Sequence, residues 1–173
     1  MAGLLYRLAL QVYRRLPAGL RRRVVRSISP SFTVGAMCFI ERADGALLLV
    51  RHSYRERWGV PGGLLQKGED AEVGARREVR EEVGLVVELL GEPAVVVDAD
   101  PQRVDVVFRA RPAEGTDTEP DVADSAEIVE ARWFAPDALP ELQFETAGAL
   151  VALARIATSA GQRPLPEPVW PRF

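Results

Sequence analysis

The chain is poor in the residues that most often mark a site. Its 173 residues include one cysteine, Cys38, and one histidine, His52. A single cysteine excludes an internal disulfide framework and a cysteine-rich zinc site. Cys38 lies in the apolar run FTVGAMCFI, so a buried, unreactive thiol is expected rather than a nucleophile. One histidine cannot build a histidine metal centre, and His52 reads as a strand-end residue. Any metal must therefore be held by oxygen, which suits hard cations such as Mg2+ or Mn2+. No run approaches the roughly 18 apolar residues of a membrane span. Acidic residues are missing only locally. Residues 1–40 hold seven arginines (positions 7, 14, 15, 21, 22, 23 and 26) and no Asp or Glu, so at a net charge of −3 the remainder carries −10. Outside that arm there is no broad basic surface, and nucleic-acid binding is not expected.

What is present reads as one domain with short extensions. A hydrophobic content of 47%, a charged content of 27% and a mean hydropathy of −0.03 fit a globular protein with a proper core. The stretch MAGLLYRLALQVYRRLPAG has some of the apolar content of a signal peptide. Arg7 and the Arg14-Arg15 pair interrupt it, however, and no basic segment precedes it, so a retained segment and a cytoplasmic location are expected.

Residues 3–16 place Leu4, Leu5, Leu8, Val12 and Leu16 at helical spacing, with the arginines mostly off that stripe. Pro17 and Gly19 interrupt the pattern, and LRRRVVRSI predicts a second short helix ending at Ser29-Pro30. This arm, residues 1–30, suits a helix packed on the body or at a homodimer interface, or one binding an anionic membrane or nucleic acid; packing is the preferred reading. FTVGAMCFIE (32–41) and ALLLVR (46–51) read as strands with a hairpin signal at Ala43-Asp44-Gly45. HSYRERWGVPGG is a loop. Asp70 is placed to N-cap a helix running to Val83, with Gly84 at the C′ position. LVVELL and AVVVDA then read as strands interrupted at Gly91-Glu92-Pro93, followed by a turn at DADPQ. Strands are predicted at 104–111 and 128–134, flanking a loop rich in Pro, Asp and Glu, and a closing helix at 145–159. The body thus spans 31–159. The tail, 160–173, carries four prolines and reads as an extended strap pinned by Trp170 and Phe173. Mixed order with strands in excess predicts an α/β domain with a mixed sheet, not a doubly wound one.

Residues 62–85, GGLLQKGEDAEVGARREVREEVGL, pose the functional question. At about 100° per residue, Glu78, Glu81 and Glu82 share an arc of roughly 100° on the helix. Like charges four apart cost roughly 0.2–0.5 kcal/mol a pair. Ala71, Gly74 and Ala75 lie on the same arc and leave room for another backbone, while Arg77 and Arg80 are expected to point elsewhere. A solvated acidic face accounts for three glutamates, and so does a cation brought from outside.

The surroundings narrow the choice. From Gly63, five residues precede Glu69, seven more precede Arg77-Glu78, and Val79, Arg80, Glu81-Glu82, Val83, Gly84 and Leu85 follow. This resembles the signature of the Nudix hydrolases, the MutT-like pyrophosphohydrolases: G-x5-E-x7-R-E-U-x-E-E-x-G-U, with U aliphatic, matched at every fixed position. A looser likeness covers about residues 32–157, including the W-x-x-P-G-G stretch from Trp58 to Gly63 and E-I-x-E-x-R-W-F at 127–134. It does not extend to the basic arm or the tail.

The resemblance implies an α/β/α sandwich that hydrolyses a nucleoside diphosphate linked to another moiety, with Mg2+ or Mn2+ supplying the missing positive charge. It further implies that Glu78, Glu81 and Glu82, with the Gly62 carbonyl, hold the metal. Glu69 and Arg77 would lock loop to helix, and Gly63 and Gly84 meet backbone requirements. Glu78 and Glu127 are both candidate general bases, and Glu127 also a candidate ligand; Glu130 and Glu119 stand behind them. Arg51, Arg55 and Arg57 could meet phosphates, and Trp58 could stack on a base or pack in the core. No tyrosine follows Tyr54, the SQPWPFPxS array of the NADH-cleaving group is missing, and W-G-V-P-G-G lacks the glutamine of the RNA 5′-pyrophosphohydrolase type. Nucleoside diphosphate sugars, ADP-ribose and (d)NTPs remain as substrate classes. A noncatalytic nucleotide sensor on the same fold is the alternative; such a module would be expected to lose carboxylates of the signature, and none is lost.

Overall fold

The computed structural model describes residues 2–122 and 125–172. It divides into two units, Met1–Phe32 and Thr33–Phe173. The first holds helices α1 (Ala2–Arg15) and α2 (Ala18–Ile28). Pro17 begins α2, its carbonyl accepting from Leu20 N and Arg21 N at 3.0 Å each, and Ser29 ends it with its N–H on Val25 O. Arg14 and Arg15 close α1 and Arg26 closes α2, where cations favour the negative end of the helix dipole. α2 buries none of its residues.

The second unit contains β1 (Thr33–Ile40), β2 (Leu47–His52), β3 (Gly62–Leu64), α3 (Ala71–Val83), β4 (Val87–Asp98), β5 (Arg103–Pro112), β6 (Ile128–Phe134) and α4 (Phe144–Ser159). One sheet has the order β3-β1-β5-β4, with β1 parallel to β5 and the other pairs antiparallel; β2 and β6 form a second, antiparallel pair. The apolar runs of β1 and β2 are continuous because both faces are covered. Ala36, Cys38, Ile40, Leu48 and Val50 face Ala75, Val79 and Val83 of α3. The alternate residues Met37, Phe39, Leu47 and Leu49 pack with Ala147, Leu150 and Leu153 of α4. The result is an α/β/α sandwich around a mixed sheet. Cys38 is fully buried, and desolvation pushes its thiol up to about 12. Among the described residues no helix is long and apolar enough to cross a membrane.

Two expectations are corrected. Arg42 to Ala46 form a tight turn, but β1 and β2 meet only at the single bridge Glu41↔Leu47 before diverging into different sheets, so no paired hairpin forms. The segments around Gly91-Glu92-Pro93 are one strand, not two: β4 carries a bulge between Leu90 and Ala94, where Pro93 needs no N–H partner and Gly91 takes φ 65°. Trp170, 48% exposed, rests its ring with the centroid 6.3 Å from that of Phe144 in α4, and the strap is held at further points. Leu165 is buried, Leu142 N donates to Val169 O at 3.0 Å, and Arg57 Nη2 donates to Arg172 O at 3.0 Å. Phe173 lies outside the described residues.

The firmest hold on the strap is Arg109. Its Nη1 donates to Arg163 O at 3.1 Å while its Nε and Nη2 donate to Glu41 Oε2 at 3.0 and 2.6 Å. Both side chains are nearly enclosed, at 9% and 12% exposure. Arg109→Met leaves Glu41 with only Arg163, 3.5 Å away, as a cation. The expected loss in urea unfolding is about 3 kcal/mol, at the low end for a broken buried pair, with faster proteolysis beyond residue 160. Arg111→Met, which breaks the exposed pair with Glu88, should cost under about 1 kcal/mol. Equal midpoints for the two variants would show that Arg109 does not anchor the strap.

Candidate active site

The site begins where β3 crosses β1. Gly62 and Gly63 pair with Met37 and Ala36. A Cβ on Gly62 would strike the Ala36 carbonyl oxygen, and one on Gly63 would lie 2.5–2.7 Å from the Glu78 carboxylate. Gly62 thus lets β3 lie close against β1, and Gly63 lets the Glu78 carboxylate rest on the β3 backbone. α3 is set by its ends: Asp70 accepts from Glu72 N, and Gly84 closes it at φ 68°. Glu82, 7% exposed, accepts from Gly62 N at 3.0 Å through Oε2 and so ties the helix to the strand.

Arg77 does not point away from the carboxylates, as the helix-wheel angle suggested. Its Nε and Nη2 donate to the two oxygens of Glu69 at 2.8 and 2.9 Å, and Nη2 also reaches Leu64 O at 3.3 Å. Nη1 donates to Glu78 Oε1 at 2.8 Å and to Glu81 Oε2 at 3.0 Å. One cation therefore serves Glu69, Glu78 and Glu81, while Glu82 takes the Gly62 N–H instead. The Arg77 hydrogen bonds and the Gln66 N–H hold Glu69 down at about 2, while the same contacts keep Arg77 above its ordinary range. Glu78 moves the other way. Burial raises it, Glu82 and Glu81 add to the rise, and Arg77 opposes it.

In this arrangement Glu78, Glu81 and Glu82 do not converge on one point. Among the described residues no three acidic, histidine or cysteine side chains are closed into a metal cage. The donor set nevertheless fits a hard cation. It is all oxygen, it carries charge that Arg77 cannot balance, and Glu81 is 59% exposed at its side chain.

These groups line one wall of a cavity of about 680 Å3. Glu127 lines it too, its carboxylate accepting from Tyr54 O–H at 3.3 Å. Partial burial and then the Glu127 charge raise the Tyr54 phenol, which keeps it a donor. The same cavity also has cations in its lining: Arg55 and Arg103, with Gln143, Glu145 and Thr146 at the start of α4. Asp105 holds Arg103 at 2.8 Å, and Arg55 Nη1 donates to Glu145 at 3.2 Å. Burial works to raise Glu145, but its own backbone N–H and the Arg55 hydrogen bond outweigh it and bring the carboxyl below its usual range.

Several predicted contacts do not reach the cavity. Arg51 pairs with Glu130 at 2.7 Å, which removes both from the site. Arg57 holds Glu141 and the strap. Trp58 packs edge-on against Phe134 with centroids 4.8 Å apart, as a core residue. Glu119 lies by Arg42. Conversely, Arg103, Gln143, Glu145 and Thr146 line the cavity without any local motif to announce them. His52 joins them: it is buried, its Nε2 is 3.8 Å from Glu82 Oε1, and its Nδ1 has no hydrogen-bond partner.

Comparison with known proteins bears on this geometry. Residues 31–154 match the family profile of the NUDIX domain. The chain is 33% identical over 116 residues to a MutT-like protein of Streptomyces ambofaciens, covering 67% of this chain and 72% of that one. It is 38% identical over 88 residues to the oxidized purine nucleoside triphosphate hydrolase of Mus musculus, covering 49% of this chain and 53% of that one. Among solved structures, a NUDIX hydrolase from Nitrosomonas europaea superposes with a TM-score of 0.64 at 24% identity, covering 79% of this chain and 77% of that one.

The lowered Glu69 carboxyl makes a pH-dependent prediction. Its contribution to stability is present above the ordinary value of 4.5 and is lost as pH falls toward about 2. Glu69→Gln should therefore be less stable than the parent at neutral pH, and the gap should narrow between these limits. Thermal melts at stepped pH measure this, and a gap of constant size would show that the Arg77 pair is not its source.

Proposed function

The chain belongs to the Nudix family, and from that premise we propose a metal-dependent hydrolase that cleaves the pyrophosphate bond of a nucleoside diphosphate derivative and releases a nucleoside monophosphate. The observation that carries this reading is the cluster of Glu78, Glu81 and Glu82 beside Gly62-Gly63 on an open cavity, where Arg77, already shared with Glu69, is among the described residues the one guanidinium bonded to Glu78 and Glu81. A pyrophosphate adds further negative charge, so the encounter needs cations. The Gly62 carbonyl, Glu78, Glu81, Glu82 and Glu127 are the groups to hold Mg2+ or Mn2+. Such a cation supplies charge compensation for phosphoryl oxygens and acidifies water.

The chain's own residues divide the remaining work. Glu78 or Glu127 takes the proton from water as its oxygen attacks phosphorus; the bridging P–O bond breaks, and the leaving phosphate keeps the electron pair. Glu78 sits on the cavity wall, where burial raises its carboxyl above the ordinary value, and Tyr54 O–H holds Glu127 at 3.3 Å. Arg55 and Arg103 place positive charge in the lining of the same cavity, where phosphate groups of the substrate would meet it. Glu69 and Arg77 fix the loop against α3.

Nucleoside triphosphates rank first among substrates, given the name of the mouse relative, of which this chain spans about half. Nucleoside diphosphate sugars and ADP-ribose complete the panel. With Mg2+ or Mn2+, chromatography of the products should show a nucleoside monophosphate and little turnover of diadenosine tetraphosphate. A preference for that dinucleotide over every mononucleotide would overturn the substrate class. Glu82→Gln should lower turnover by more than the roughly 100-fold that loss of an outer partner of a metal ligand costs, while Arg80→Gln, on the exposed side of α3, should stay near the parent. Near-normal, cation-dependent turnover in Glu82→Gln would remove that residue from the ligand set.

A further inference from the structure

The arm takes no part in the chemistry above, yet its composition is the most biased in the chain. We propose that α1 and α2 form an interfacial anchor for an anionic lipid surface. The separation of apolar from basic residues is clearer on α2 than on α1. On α1, Val12, Tyr13, Tyr6 and Leu10 fall within an arc of about 160°, and Arg14, Arg7, Gln11 and Arg15 occupy the opposite 100° or so, a sector that Leu4 shares. On α2, Leu20, Val24, Ile28 and Val25 span about 140°, with Arg21 among them, and Arg22, Arg26 and Arg23 cover roughly 100° on the other side.

The apolar residues are exposed: Tyr6 at 66%, Val12 at 61% and Ile28 at 77%, with Leu10, Leu20 and Val25 also exposed. Six large apolar side chains exposed within 28 residues need a partner that removes them from water. Seven arginines without one acid select that partner's charge. Nucleic acid or an acidic protein would satisfy the arginines and leave the apolar stripes in water. A second arm would accept the stripes but bring seven more positive charges beside the first. A lipid surface with anionic headgroups accepts both at once, apolar side chains at the acyl boundary and guanidinium groups snorkelling to the phosphates. The remaining −10 of the chain is repelled by such a surface, so the arm is the part that docks.

The test uses the full chain and sedimentation with vesicles of phosphatidylglycerol and phosphatidylcholine mixed, or of phosphatidylcholine alone. Binding is expected only to the mixed vesicles and should weaken with salt. The triple variant Arg22→Gln, Arg23→Gln, Arg26→Gln should reduce partitioning about 100-fold. Leu20→Gln, Val24→Gln, Ile28→Gln, which keeps every charge, should reduce it at least about 10-fold. Hydrolysis of a soluble nucleotide should stay at the parental rate in both, so failure here is separable from failure of the hydrolase reading. No binding to mixed vesicles, or equal binding to both kinds, overturns the proposal. So does retention of an RNA oligomer without vesicle binding, or a shift from dimer to monomer in the apolar variant without vesicle binding.

Discussion

One guanidinium organises the acidic end of this molecule. Arg77 cannot lose its proton in a protein, so it is a permanent cation among groups of the opposite sign. Its two contacts with Glu69 and one with Leu64 O fix the loop before α3, and its remaining nitrogen is shared between Glu78 and Glu81. The first set is well enclosed and the second opens on the cavity. A cation arriving there would compete with Arg77 for Glu78 and Glu81 and would leave the grip on Glu69 intact. The same side chain therefore offsets the carboxylates' repulsion, and its hold on the loop does not depend on Glu78 or Glu81.

The sheet supplies what Arg77 cannot. Burial of β1 on both faces leaves no freedom of register, and β3 pairs with it through residues lacking side chains. Because Gly63 presents no Cβ, the Glu78 carboxylate rests against its backbone, and because Gly62 presents its N–H, Glu82 can be buried and still be hydrogen-bonded. A buried carboxylate without that N–H would be costly. The acidic cluster is thus a product of backbone geometry as much as of charge.

Local features were legible in the sequence. Asp70 and Gly84 bounded α3 correctly because caps act within a turn, and the apolar runs located β1, β2, β5 and β6 because each is read from neighbouring residues. The family signature likewise needed only 23 residues. What failed was long-range or depended on side-chain reach. A helix wheel treats side chains as radial spokes, whereas Arg77 has a stem long enough to bend along the helix to Glu81, one turn on. Arg51 and Arg57 looked free because their partners, Glu130 and the Arg172 carbonyl, are 79 and 115 residues away. Arg103 and the start of α4 enter the cavity through sheet order and helix packing, which no spacing encodes. The turn at Ala43 was real, but a tight turn does not decide whether its flanking strands pair or part.

The bulge in β4 also decides how the sheet can grow. β4 is the outer strand of its sheet, and Val95 and Val97 stand exposed on it at 61% and 63%. Such an edge is an open template on which a second chain can add a strand. Here the rail is broken in its middle: Pro93 offers no N–H, Gly91 turns the backbone out of line, and the register slips between Leu90 and Ala94. An incoming strand could pair with Val87–Leu90 or with Ala94–Asp98, but not run straight across both. The break that made this segment look like two strands in sequence also blunts it against uncontrolled polymerisation.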